Sequence, residues 1–168
     1  MRSRGSSSPR DGARGRPAPG PEVVAPPPLL YLFPFLAGVL LDRLVRLQPL
    51  PRAVRLGVGP VLLGLGAAWS VWFIRTMRDA GTPIDPRRRP THLVQGGPFR
   101  FTRNPGYVGL AAVYTGLALL TGARWPLLLL PGVLAAVDRG VVQAEERFLL
   151  RAFGEEYERY RRRVRRWL

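Results

Sequence analysis

The sequence contains no cysteine and no lysine, and His92 is its only histidine. Without cysteine there is no disulfide scaffold and no thiol chemistry. A zinc site needs cysteine or more than one histidine, so it is excluded too. A Walker-type phosphate loop or a pyridoxal Schiff base needs a lysine. All 26 cationic residues are therefore arginine, set against 11 acidic residues, for a net charge of +15 over 168 residues. That length is room for one domain of ordinary size. Mean hydropathy is near zero, but the average conceals clustering of both apolar and charged residues.

Residues 1–28 are rich in Arg, Ser, Gly and Pro. Such a segment buries too little apolar surface to offset its ordering entropy and is expected to be a disordered basic tail. No apolar run follows its first arginines closely, so it does not resemble a cleavable signal peptide. Residues 29–168 are expected to form one membrane domain. Four apolar stretches follow the tail: about Leu29 to Val45, Arg55 to Arg75, Arg103 to Arg124, and Trp125 to Asp138. A bilayer core of ~30 Å takes roughly 20 helical residues. The second and third stretches meet that length and the first is marginal. The charge-free part of the fourth, residues 125–137, spans only ~20 Å. To cross, it must continue through Asp138 and Arg139 to about Ala144. That pair is then either a local ion pair near the interface or a functional pair. The expected fold class is thus an all-α membrane protein with about four transmembrane helices.

The N-terminal tail, the loop holding Arg78, Arg87, Arg88, Arg89 and Arg100, and the C-terminal tail carry most of the arginines. The positive-inside rule then places both termini and that loop in the cytoplasm. From Glu145 onward, Leu149, Leu150, Phe153, Tyr157, Tyr160, Val164 and Trp167 recur at helical spacing. This predicts an amphipathic C-terminal helix on or under the membrane, with Arg161 to Arg166 meeting anionic headgroups.

Parity of the spans brings the start of the third and the end of the fourth to one membrane face. Residues Gly96 to Tyr107 and the pair Glu145–Glu146 therefore converge. Asn104 suits an N-cap and Pro105 the first helical position, which sets free N–H groups beside Arg103, an anion-binding arrangement. The same residues are also compatible with a plain helix start flanked by a positive-inside arginine. Gly96, Gly97 and Pro98 make a tight turn. Phe99 and Tyr107 are either cation-facing aromatics or part of an interfacial belt. Glu145 and Glu146 are either solvated helix residues or negative charge beside a cationic ligand, and His92 reads as interfacial.

Thr91-His92-Leu93-Val94, Gly97-Pro98-Phe99-Arg100, Arg103-Asn104-Pro105-Gly106-Tyr107-Val108-Gly109, Glu145-Glu146 and Phe153-Gly154-Glu155-Glu156-Tyr157 follow in order. Together they resemble the isoprenylcysteine carboxyl methyltransferase and phospholipid methyltransferase superfamily of integral membrane enzymes. The likeness covers residues from about 80 to 168. It implies S-adenosylmethionine as cofactor, with Thr91, His92, Leu93, Val94, Phe99, Asn104, Pro105, Gly106, Tyr107 and Glu145 lining its site. Glu146 and Arg103 stand as the candidate catalytic residues, with Arg100 and Arg103 as candidate contacts to the cofactor carboxylate or to substrate. Two departures stand out. Asn104 replaces the His of the eukaryotic prenylcysteine enzymes, and Val141 stands where those enzymes carry a substrate-binding Arg.

The resemblance implies methyl transfer from S-adenosylmethionine to an amphiphilic or lipid acceptor that enters from the bilayer at the cytoplasmic face. An amine acceptor would need a base, for which Glu146 or His92 is the candidate. An NADPH-dependent reductase of sterol-reductase type and a non-catalytic membrane scaffold are the alternatives. Specific nucleic-acid binding is not expected, since arginines beside anionic lipid account for the charge.

Overall fold

The computed structural model describes residue 21, residues 24–45 and residues 47–168. Most of the predicted tail, residues 1–20 together with 22 and 23, lies outside the described residues. Val24 is described, and its N–H donates to the Gly140 carbonyl at 3.3 Å. The described residues form α-helices and no strand. Helix α1 spans Pro27–Leu44, α2 Gly59–Asp79, α3 Pro105–Thr121, α4 Arg124–Val137 and α5 Gln143–Arg163. A π-helical turn, Val54–Val58, leads into α2, and another, Asp138–Val142, joins α4 to α5.

Among the described residues, three helical stretches are long and apolar enough to cross a membrane: Pro27–Leu44, Val54–Asp79 and the continuous Arg124–Arg163. The third apolar stretch of the sequence yields a shorter helix than its uncharged length predicts. Helix α3 has 17 residues, about 26 Å at 1.5 Å per residue. Pro105 disfavours helical backbone at Asn104, which sits at φ −124°, ψ 52°. At the other end Gly122 turns left-handed at φ 74° and its N–H bonds the Leu119 carbonyl, a glycine stop. The fourth stretch does continue through Asp138 and Arg139, by way of the π-turn. Asp138 does not pair with Arg139, however. It accepts from Gln143 Nε2 at 2.9 Å and faces Arg166 Nη1 at 3.5 Å, while Arg139 is exposed.

Helix α3 is the centre of the bundle. Helix α2 packs antiparallel along one side of it, and α1 and α4 pack on the other. The α2–α3 contact is made by small residues. A Cβ on Gly66 would meet the Val113 backbone nitrogen at 2.8 Å, and one on Gly116 the Leu63 nitrogen at 2.6 Å. Gly109 lies against Ser70. Gly59, Leu63, Gly66, Ser70 and Phe73 thus mark a seam at three- and four-residue steps, the pattern that lets helices in lipid approach closely. Between α1 and α4, Gly38 lies against the Pro126 backbone. Asp42 caps α4 from outside its own helix, accepting the Arg124 N–H at 2.9 Å and the Trp125 N–H at 3.4 Å. This satisfies two of the donors that every helix start leaves free.

The core gathers Tyr31, Tyr107, Tyr114, Val133, Val137, Val141 and Val142, with Trp167 packed against it. Tyr31 Oη donates to the Tyr107 carbonyl at 3.1 Å and Tyr114 Oη to the Pro126 carbonyl at 2.8 Å. Outward-facing Leu36, Leu40, Val61 and Leu65 are exposed, as a lipid-facing belt requires. Helix α5 is interrupted at Gly154 (φ 49°, ψ −123°) and ends at Arg163, with Val164 extended. The apolar repeat that predicted one helix to Trp167 therefore crosses a helix end. Tyr157 and Tyr160 are buried on the helix, whereas Trp167 reaches the core from the segment after it.

The seam makes a paired prediction. Gly116→Ala should destabilise the protein by about 1–3 kcal/mol, because its methyl meets backbone rather than a side chain that can move. Gly64→Ala, which has open space at its Cβ, should not lower the unfolding temperature in detergent, since alanine favours the helix.

Candidate functional site

The site forms where the starts of α3 and α5 meet the loop that follows α2. Its frame begins at Gly97, whose φ of +57° is a backbone conformation that favours glycine. A Cβ there would also strike the Thr76 hydroxyl. This opens a 3₁₀ turn, Gly97–Arg100. The turn exposes the Phe99 carbonyl to the Tyr160 hydroxyl, which donates to it at 2.8 Å. Gln95 ties the same loop to α5, donating to Glu156 at 3.0 Å and accepting from Arg163 at 3.1 Å.

Asn104 holds the N-cap position of α3 but does not cap it. Its Nδ2 donates instead to the Arg166 carbonyl at 3.0 Å, and the Thr102 hydroxyl donates to the same oxygen at 2.8 Å. The predicted cap is not made: the Asn104 side chain is turned toward the C-terminal segment, where its Nδ2 meets the Arg166 carbonyl.

Two carboxylates face this start from α5. Glu145 accepts from the Tyr107 hydroxyl at 2.6 Å. Glu146 pairs with Arg103 Nη2 at 2.9 Å, both side chains about nine-tenths buried. Arg166 takes the other side of Glu146, with Nη2 to Oε2 at 2.7 Å and Nε to Oε1 at 3.1 Å. Arg166 therefore does not extend to a membrane surface as the run Arg161 to Arg166 predicts. Bonding to Glu146 pushes its guanidinium pKa further up. Arg161, Arg162, Arg163 and Arg165 are exposed.

These groups border a cavity of about 550 Å³, within the size range of small-molecule sites. Among the residues that the resemblance singles out, His92, Leu93, Val94, Phe99, Arg103, Asn104, Pro105, Gly106, Tyr107, Glu145 and Glu146 line it. Thr91 does not. Its hydroxyl donates to the Gly81 carbonyl at 3.1 Å and its N–H to Thr82 Oγ1 at 3.1 Å, so it closes the loop instead. Arg100 is exposed and outside the lining.

Several lining residues carry no sequence signal of their own. Phe73, Ile74 and Met77 come from α2, Pro26 to Pro28 from the start of α1, and Pro83 to Arg88 from the loop. Tyr157 and Tyr160 also line the cavity, although their spacing reads as a membrane-facing stripe. In the loop, hydrogen bonds from the Arg87 side chain and N–H hold the Asp85 carboxyl below the usual carboxylate range. Helices α1 and α2 flank α3 rather than each other, and the cavity lies against residues of both.

The family model for phospholipid methyltransferase matches residues 54–156, more than half of the chain. The chain belongs to the phospholipid methyltransferase family. This is a family of integral membrane methyltransferases that includes isoprenylcysteine carboxyl methyltransferase-like members. The match takes in α2, beyond the region from about residue 80 that carries the sequence resemblance. No curated protein and no solved structure matches the chain.

The buried pair Arg103–Glu146 is expected to be energetically coupled. In a double-mutant cycle of Arg103→Met and Glu146→Met, the double variant should be about 1–3 kcal/mol more stable than the two single losses sum to. Strict additivity of the unfolding free energies would contradict the pair.

Proposed function

We propose that the protein transfers a methyl group from S-adenosylmethionine to an amphiphilic or lipid acceptor at the cytoplasmic membrane face, in the manner of isoprenylcysteine carboxyl methyltransferases. The observation that carries this reading is the convergence of the family's Arg-Asn-Pro and Glu-Glu elements on one cavity at the end of the bundle. The family match supports the reaction class.

The donor set fits the cofactor. S-adenosylmethionine bears an ammonium, a carboxylate and a sulfonium cation on a nucleoside. Glu145 supplies a carboxylate for a cationic or hydroxyl-bearing group, and Arg103 a counter-charge for an anionic one. The rings of Phe73, Phe99 and Tyr107 line the cavity and suit a sulfonium cation. Bound there, the cofactor would supply an electrophilic methyl group on its sulfonium. The chain positions the partners and excludes water, the main contribution a protein makes to such a reaction.

Tyr107, held by Glu145, presents a fixed edge to the cavity. Both oxygens of Glu146 are occupied by guanidinium N–H groups. Glu146 therefore serves to hold Arg103 in place rather than to take a proton. An acceptor that reacts as an anion, such as a carboxylate, suits this site because it needs no base. The apolar walls given by α1 and α2 suit entry of a lipid chain from the bilayer between them. Arginine-rich segments at the cavity end of the bundle support a cytoplasmic placement of that end and of both termini.

Calorimetry of S-adenosylhomocysteine against the protein in nanodiscs tests the reading. Saturable binding is expected, weakened at least about tenfold in Glu145→Ala and in Tyr107→Ala, since each removes the Tyr107–Glu145 hydrogen bond that fixes this wall of the cavity. Arg100→Gln, outside the cavity, should bind as the wild type does. Absence of binding by folded wild-type protein would overturn the cofactor assignment.

A further inference from the structure

The segment after α5 lies beyond the residues that the family model matches, yet it bonds to residues that line the cavity. Val164 leaves the helix with extended backbone (φ −120°, ψ 132°). The chain then runs back to the start of α3. The Arg165 carbonyl accepts the Arg103 N–H at 2.9 Å. The Arg166 carbonyl accepts from Thr102 Oγ1 at 2.8 Å and from Asn104 Nδ2 at 3.0 Å. In the other direction the Arg166 side chain grips Glu146 with two nitrogens, at 2.7 and 3.1 Å, and faces Asp138 at 3.5 Å. Trp167 anchors the segment against the core.

One residue thus ties together the start of α3, the π-turn and the start of α5. Its two grips act on the same target. The Arg165 carbonyl beside it fixes the backbone at Arg103, and its own carbonyl fixes the side chains of Thr102 and Asn104. The guanidinium fixes the carboxylate that Arg103 itself pairs with, and Glu146 Oε1 is shared between the two arginines. Arg103, Asn104 and Glu146 line the cavity, and Arg166 does not. Arginine suits this place better than lysine would, because a planar fork meets both carboxylate oxygens at once.

We propose that residues 164–168 are a C-terminal clasp, and that Arg166 is a positioning residue which sets Arg103, Asn104 and Glu146 against the cavity. The ligand arm of its test rests on the cofactor reading above; the exchange arm does not.

The test uses the full chain in nanodiscs as wild type, Arg166→Gln, Arg166→Lys and Arg162→Gln. Thermal unfolding first shows that each is folded. Hydrogen exchange is then followed at residues 102–107, and S-adenosylhomocysteine affinity is measured by calorimetry. In Arg166→Gln, exchange at Arg103 should rise at least about tenfold while α1 and α2 stay protected, and affinity should fall about tenfold. Arg166→Lys should recover part of both, since it keeps the charge but not the fork. Arg162→Gln, which alters an exposed pair with Glu158, should change neither. Unaltered exchange at Arg103 in Arg166→Gln would overturn the clasp. Raised exchange with unaltered affinity would overturn the positioning role. If the wild type does not bind the probe, the cofactor reading fails, and exchange at Arg103 alone upholds or refutes the clasp.

Discussion

A carboxylate buried at the end of a membrane bundle needs cations within reach to offset the hydration it loses. Glu146 meets that condition with two, Arg103 from the start of α3 and Arg166 from the chain terminus. Desolvating a charged group costs several kcal/mol, which partners in good geometry recover in part, although Arg103 Nε and Nη1 stay buried without a hydrogen-bond partner among the described residues. Such a cluster constrains every element that contributes to it. The turn before α3 must deliver Arg103, the π-turn must deliver Asp138, and the last residues must fold back. The site is therefore built by long-range charge pairing rather than by one rigid loop.

The remaining architecture serves to bring those elements to one end. A stripe of glycines lets α2 lie close on α3, and Asp42 locks the far end by capping α4 from α1. With α2 on one side of α3 and α1 and α4 on the other, the near ends of α1 and α2 border the cavity. Tyrosines link the layers, the Tyr31 hydroxyl donating to the Tyr107 carbonyl and the Tyr114 hydroxyl to the Pro126 carbonyl.

Much of this is legible in the sequence, because membrane spans and their parity follow from local composition. Four apolar stretches put Gly96 to Tyr107 and Glu145–Glu146 at one end, and there they meet. What composition does not encode is the partner of each polar group. Asn104 reads as an N-cap, since nothing local reveals that a carbonyl 62 residues away competes for its amide. Asp138 reads as a partner of Arg139, but on a π-turn their side chains diverge. Arg166 reads as one more surface arginine in a run of them. Thr91 belongs to the motif yet faces the loop, and Phe73 and Met77 are indistinguishable from lipid-facing residues until the fold brings them to the cavity.

Methyl transfer itself is the most direct measurement of the account. Protein in nanodiscs is incubated with methyl-labelled S-adenosylmethionine and a total membrane lipid extract, and label is followed into the organic phase. Time-dependent labelling of a lipid-soluble product is expected, abolished in Glu145→Ala protein that remains folded. Labelling that is absent from folded wild-type protein across lipid extracts and prenylated cysteine acceptors, or equal in the variant, would contradict it.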